Sequence, residues 1–148
     1  MNIKTLTASI ALMAVLAPSY AAESEEIIKY RVSVMKAYAG HMSAASRIVR
    51  GKVDYQDQLK LHADSMKGIA GTMDVLFPED SDFGDTRAKE EVWSKPEEFA
   101  QSIKKNQQAV SELNEVVAGG DKSALAGSFK KLSDSCKSCH ENFRTVKE

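Results

Sequence analysis

The chain has little of what marks several common classes of protein. Its 148 residues include two cysteines, three prolines and one tryptophan, and its 20 basic side chains are balanced by 21 acidic ones. Without a second Cys/His pair the cysteines cannot form a structural zinc site, and the single, distant His41 and His62 are expected to be packed or surface residues rather than ligands. Balanced charge, with no basic, aromatic-rich stretch, argues against nucleic acid as a partner. No apolar run reaches the about 20 residues that cross a bilayer.

The two cysteines lie in a Cys-x-x-Cys-His motif near the end of the chain. Cys136, Cys139 and His140 stand at i, i+3 and i+4, so a helix presents all three from one face. This is the attachment pattern of a c-type haem, in which two thiols bind the vinyl groups and the histidine ligates iron. A thioredoxin-like redox pair would need neighbouring strands, and a disulfide across three residues would add little stability. The motif predicts one covalent haem c per chain, with His140 as the metal ligand.

The N-terminus has the layout of a secretory signal peptide. Lys4 gives a basic start, an apolar run covers residues 8–16, and the small residues Ser19 and Ala21 precede the expected cut. Cleavage there predicts a signal peptide at 1–21 and a mature domain at 22–148, with no membrane anchor left after cleavage. Export suits a c-type haem, and the expected location is the periplasm.

The mature segment predicts four helices and no strand. Apolar residues recur at helical spacing from about 24 to 50 and from 54 to 77. After a long polar connection at 79–93, a third helix begins with Ser94 as its cap, and a fourth is capped by Asp121. Helices of this length, each with one apolar face, predict an all-α fold, an antiparallel four-helix bundle enclosing one covalently attached haem.

The sequence resembles the class II cytochromes c, the cytochrome c′ family, over essentially the whole mature segment. The resemblance rests on residues 136–144, on Lys29-Tyr30-Arg31, on Leu76-Phe77-Pro78 and on Val92-Trp93-Ser94. It implies a bundle in which the haem iron has a proximal histidine. The distal side would be blocked by an apolar side chain of the first helix.

The resemblance also assigns roles to positions on the first helix. Arg31 would lie near the haem propionates, Met35 would occupy the distal position four residues later, and Val32 would face the same ring. Spacing leaves two roles open for Met35, because a thioether over the iron either ligates it or only blocks it. A solvated helix charge is the alternative role for Arg31.

Three further positions are carried over from the family. Arg144 matches a basic residue beside the proximal histidine, although a cation near a helix C-terminus also suits the helix dipole. Asp85 and Thr86 match an acidic-threonine stretch of the long connection that approaches the haem edge. The remaining members of the expected haem site are Cys136, Cys139 and His140.

Two functions fit these residues. The first is a high-spin, five-coordinate cytochrome c′ that transfers one electron and binds nitric oxide or carbon monoxide, which need no hydrogen-bond donor. The second is a low-spin carrier ligated by Met35 and His140. A peroxidase or oxygenase would need polar distal residues, whereas Ile28, Val32 and Met35 are apolar. No catalytic residue and no enzyme activity are therefore expected.

The expected partners follow from the same reading. They are the small gases, a redox partner protein that the sequence does not identify and, as the resemblance implies, a second copy of the chain. The homodimer would use apolar surface on the first two helices, for which the candidates are Ile27, Val34, Tyr38 and Tyr55.

Overall fold

A computed structural model describes residues 18–146, with side chains from residue 23 onward. Five α-helices follow one another in this part of the chain: α1 Pro18–Val49, α2 Leu59–Ala70, α3 Glu91–Ser94, α4 Pro96–Gly119 and α5 Lys122–Phe143. Most of the predicted signal peptide, residues 1–17, lies outside the described residues, and its cleavage stays a prediction. Within residues 18–146 no helix has both the length and the apolar character needed to cross a membrane.

Four of these helices, α1, α2, α4 and α5, form the predicted antiparallel bundle. α1 packs on α2, α2 on α4, and α4 on α5. In the centre Met66, Leu113 and Leu132 are fully buried, one each from α2, α4 and α5. Each such side chain contributes about 1.5–3 kcal/mol by leaving water. Extended pairing in the described part of the chain is limited to an isolated bridge between Ala88 and Arg144, which confirms the all-α class.

The second helix is shorter than predicted. α2 covers twelve residues and is flanked by 3₁₀ turns at Gln56–Gln58 and Met73–Val75. At its end the Thr72 hydroxyl donates to the Ile69 carbonyl at 2.8 Å. This local bond competes with the next helical turn, and the apolar spacing alone did not reveal it.

The helix caps were predicted with mixed success. The Asp121 carboxylate accepts from the backbone N–H groups of Ser123 and Ala124 and caps α5, as expected. The prediction that Ser94 caps the third long helix is wrong. α4 begins after Lys95, which makes no side-chain cap, while the Ser94 hydroxyl donates back to the Glu90 carbonyl at 3.1 Å.

Candidate haem site

The Cys-x-x-Cys-His motif lies in the last two turns of α5. Cys136, Cys139 and His140 are each half-buried, and both thiols are free. Cys136 packs against the bundle core, and the Asn106 side-chain amide of α4 donates to its sulfur at 3.5 Å. Cys136 therefore faces the interior of the bundle near the end of α5.

The protonation states of these side chains suit haem attachment. Burial raises the pKa of Cys136, and burial together with Cys136 raises the pKa of Cys139 to about 11. Both therefore stay as S–H groups at neutral pH, and each S–H can add across a vinyl double bond. Burial, followed by the charges of Arg144 and Arg87, lowers the pKa of His140. The imidazole stays neutral and keeps a lone pair for a metal.

Arg31 on α1 is buried, being 3% exposed. Its Nη1 donates to the Leu76 carbonyl at 3.3 Å and to the Ser81 hydroxyl at 2.8 Å. Its Nη2 donates to the Ser81 carbonyl at 2.9 Å and to the Thr86 hydroxyl at 2.8 Å. The guanidinium carbon also lies 4.7 Å from the centre of the Phe77 ring. The alternative of a solvated helix charge is therefore wrong for Arg31.

These bonds make Arg31 the anchor for one end of the long connection before α3. They bring Arg31 together with Thr86, two residues expected at the same site, whereas Asp85 is exposed. Gly84, at φ 82°, passes close over α1, where a Cβ would lie 3.9 Å from Ile28 Cδ1. Ile28 is thus covered by the connection.

The other end of the connection is bonded to the C-terminal end of α5 and to Thr145, which follows it. The Lys89 N–H donates to the Phe143 carbonyl at 3.0 Å, and the Thr145 N–H donates to the Arg87 carbonyl at 2.9 Å. The Lys89 ammonium also donates to the Glu141 carbonyl at 2.8 Å. The connection therefore runs from α1 to the haem-attachment end of α5 and closes that edge of the bundle.

A cavity of about 580 Å³ opens beside His140. It is lined by Arg87, Lys89, Lys137, His140, Glu141, Arg144, Thr145 and Val146. Arg144 is exposed, and Arg87 helps to lower its pKa after the effect of burial. The structure thus places Arg144 near His140, as expected, together with Arg87 and Lys89, which no sequence motif singled out.

On α1, Met35 is half-buried against the core and Val32 is 37% exposed. Tyr38 is buried, and its hydroxyl donates to the Asn106 amide oxygen at 2.9 Å. Asn106 was not identified from sequence, although it falls between Ile103 and Val110 in the apolar stripe of α4. A polar residue at such a position signals a buried hydrogen bond.

Comparison with known proteins decides the family. The sequence profile described as Cytochrome C′ matches residues 26–144. The chain belongs to the cytochrome c′ family. A cytochrome c′ from Pararhodospirillum photometricum is 33% identical over 124 residues, which cover 83% of this chain and 99% of that relative.

Solved cytochromes c′ share the fold. The nitric oxide complex of a leucine-to-alanine variant of cytochrome c prime from Alcaligenes xylosoxidans superposes with a TM-score of 0.78 at 28% identity, covering 84% of this chain and 97% of that one. A carbon monoxide-bound variant of the same protein has a TM-score of 0.77 at 27% identity, with 83% and 97% covered. The predicted four-helix bundle is confirmed.

Cytochromes c′ carry one covalent haem c per chain, and this chain has the residues to hold it. Two free thiols and one neutral imidazole project from one face of α5, at the spacing that the two vinyl groups and the iron require. Cys136, Cys139 and His140 thus fit the donor set. The roles of the other site residues stay predictions.

Proposed function

We propose that this member of the cytochrome c′ family is an exported one-electron carrier. Its iron would be five-coordinate, with His140 as the protein ligand, and would bind nitric oxide or carbon monoxide. The bound haem would supply an Fe(III)/Fe(II) couple and one open axial position. The chain itself would supply covalent attachment, the axial imidazole and the surroundings that choose between ligands.

The observation that carries this proposal is that the polar side chains beside Met35 on the inward face of α1 use nearly all their hydrogen-bond donors within residues 23–146. Arg31 and Tyr38 are the buried polar side chains that flank Met35 there, and apart from the Nε–H group of Arg31 their donors are engaged. The four N–H groups on the terminal nitrogens of Arg31 are bonded to Leu76, Ser81 and Thr86, and the Tyr38 hydroxyl is bonded to Asn106. Burial raises the pKa of Tyr38, so this hydroxyl keeps its proton.

A distal surface of this kind selects among gases. Bound dioxygen carries negative charge and is held by hydrogen-bond donors, whereas nitric oxide and carbon monoxide bind without them. Val32 and Met35 offer only carbon and sulfur on the α1 surface that would face the ring. Relatives of the same fold supply support, since their solved structures include complexes with nitric oxide and carbon monoxide.

Arg31 has a further place in this proposal. It is a buried cation with no carboxylate within ion-pair distance among residues 23–146, and burial lowers its pKa. A haem propionate would supply the missing anion, and the Nε–H group of Arg31 is left to meet it. We propose that Arg31 positions both a propionate and the connection that carries Asp85 and Thr86.

Binding of gases to the holoprotein tests the proposed function. The dithionite-reduced protein is mixed with nitric oxide, carbon monoxide or dioxygen, and the haem absorbance is followed. We expect new absorption bands with the first two gases and simple oxidation with dioxygen. A reduced haem that forms no complex with either gas would overturn the proposal.

The second candidate is a low-spin carrier with Met35 as the other axial ligand. The observation that favours it is the half-buried thioether of Met35 on the face of α1 that includes Arg31 and Tyr38. A methionine ligand would close the open position, so gases would bind only by displacing it. Substitution of Met35 by alanine would then change the reduced spectrum of the unliganded protein.

Export and self-association complete the proposal. We expect the mature protein to begin at Ala22 in the periplasm, which N-terminal sequencing of the purified holoprotein checks. A homodimer would use α1, α2 and the loop between them: Ile27 and Val34 of α1 are half-buried, and Tyr55 of the loop is exposed. Tyr38 is wrong as a surface candidate because it lies in the core of its own bundle. Sedimentation of the holoprotein measures the oligomeric state.

A further inference from the structure

Two histidines outside the haem site lie against each other between α1 and α2. His41 of α1 and His62 of α2 are both half-buried, and their Nδ1 atoms are 3.0 Å apart. Their ring centres are 5.3 Å apart, with 57° between the ring planes. The sequence treats each histidine separately, whereas the packing of α1 on α2 brings their nitrogens together.

The residues one helical turn from each histidine are uncharged. The residues three and four positions away are Ala37, Tyr38, Ala44 and Ala45 on α1, and Gln58, Leu59, Ser65 and Met66 on α2. No carboxylate on an adjacent turn therefore favours a doubly protonated pair. Burial and His41 both lower the pKa of His62. An imidazole binds a metal through the nitrogen lone pair of its uncharged form.

The separation of the two nitrogens matches a chelating pair. Metal–nitrogen bonds of about 2.0 Å put two cis ligands about 2.8–2.9 Å apart at a right angle and about 3.3 Å apart at the tetrahedral angle. The observed 3.0 Å is nearer to the right angle. Neutral imidazoles at a right angle suit the tetragonal coordination of Cu²⁺, which also has the highest affinity among first-row divalent ions for nitrogen sites.

We propose that His41 and His62 form a two-histidine site for Cu²⁺, bound through both Nδ1 atoms. In the metal-free protein one ring donates its Nδ1–H to the other. On binding, that ring moves its proton to Nε2, so the metal replaces the shared proton without changing the charge of either imidazole. Residues 23–146 place no cluster of three or more His, Cys, Asp or Glu side chains here, and water completes the coordination.

A metal at this position would connect α1 to α2. These helices are joined by a loop at one end, and the pair lies along their packed faces. Because the ion would bind the folded pairing and not the unfolded chain, saturating Cu²⁺ would raise the thermal midpoint of unfolding. The site is separate in sequence from the haem-attachment motif of α5 and does not depend on the gas ligand or spin state proposed above.

Titration of the ferric holoprotein with Cu²⁺ tests the site, since oxidised haem and Cu²⁺ exchange no electron. Calorimetry gives the affinity for the wild type and for His41→Gln, His62→Gln and the double variant. Substitution of a group that only supports a metal ligand lowers metal affinity about 10–100-fold. Removal of either histidine, a ligand itself, is therefore expected to weaken Cu²⁺ binding by about 100-fold. Asp64→Asn is the control, because Asp64 is an exposed carboxylate two residues from His62 whose partners are Lys60 and Asn114 and neither histidine.

Pulsed electron paramagnetic resonance of the wild-type protein provides a readout that needs no variant. Coupling of Cu²⁺ to the remote nitrogens of two imidazoles is the expected result, together with a higher thermal midpoint that each histidine variant loses. Binding that persists within threefold in both single variants would overturn the proposal. Coupling to fewer than two imidazoles, or no binding at micromolar Cu²⁺, would do the same.

Discussion

The two sides of the haem site differ in how far the roles of their residues can be read from the sequence. On α5, Cys136, Cys139 and His140 lie within five residues, and their chemistry follows from residue type and helical spacing. On α1, Arg31 and Met35 are common residue types. Arg31 takes its role from groups 45–55 positions away in the chain. The attachment side depends on residues close together in the sequence, and the opposite side depends on contacts between distant ones. Substitutions on the attachment side should therefore remove haem, and substitutions on the opposite side should lower the free energy of unfolding.

The largest effect is expected on the local side. Replacing both Cys136 and Cys139 with alanine removes both thioethers, so no haem should stay with the polypeptide in a denaturing gel stained for haem. Each single variant should keep haem through the remaining bond. Ser138→Ala, an exposed change within the motif, is the control and should keep full staining. Haem that survives denaturation in the double variant would contradict the assignment.

On the tertiary side, Arg31→Met should keep covalent haem but destabilise the fold. It removes four hydrogen bonds and leaves the Ser81 and Leu76 acceptors without a donor, for an expected loss of about 3 kcal/mol in the free energy of unfolding. The free energy of unfolding of Arg31→Lys should lie between those of the wild type and Arg31→Met, because an ammonium keeps the charge but cannot reproduce the planar fork of the guanidinium. Chemical denaturation of the holoprotein measures both.

Lys36→Met provides the control for that prediction. Lys36 is exposed on the same helix, and its loss should change the free energy of unfolding by no more than about 0.5 kcal/mol. An equal loss from the Arg31 and Lys36 variants would show that the connection is not anchored by Arg31.

A smaller loss of stability is expected at Asn106, which joins the two sides. Asn106→Leu leaves the buried Tyr38 hydroxyl without its acceptor and should cost about 1–3 kcal/mol in the free energy of unfolding. Adding Tyr38→Phe removes the orphaned hydroxyl, and the double variant should be less destabilised than the sum of the single ones. Additive losses would contradict a direct bond. Gln108→Leu, exposed on α4, is the matched control.

The smallest effect concerns the charge beside His140. Arg144→Gln removes a positive charge and should stabilise the oxidised haem, which lowers the reduction potential by about 10–40 mV, the scale of an exposed charge interaction. Lys52→Gln, beyond the far end of α1, should leave the potential nearly unchanged. Protein-film voltammetry at low salt gives both values. A rise in potential on loss of Arg144 would have the wrong sign for this account.

The sequence predicted the fold and the attachment residues because both depend on short-range patterns. Helical spacing identified the four long helices, and the residue type and position of Asp121 predicted the N-cap of α5. The pattern could not show that Thr72 ends α2 early or that α4 begins after Lys95, since local side-chain bonds and a single extra turn decide these boundaries. It also could not place Ser81 against Arg31, or His41 against His62, because each pair forms only when separate elements pack.

The optical spectrum of the unliganded, dithionite-reduced holoprotein tests the central claim most directly. If His140 is the one protein ligand of the iron and α1 only covers the other face, the reduced protein will show a broad visible band without sharp α and β peaks. Sharp α and β peaks that disappear in Met35→Ala would contradict the account, since Met35 would then be the second axial ligand and the protein a low-spin electron carrier.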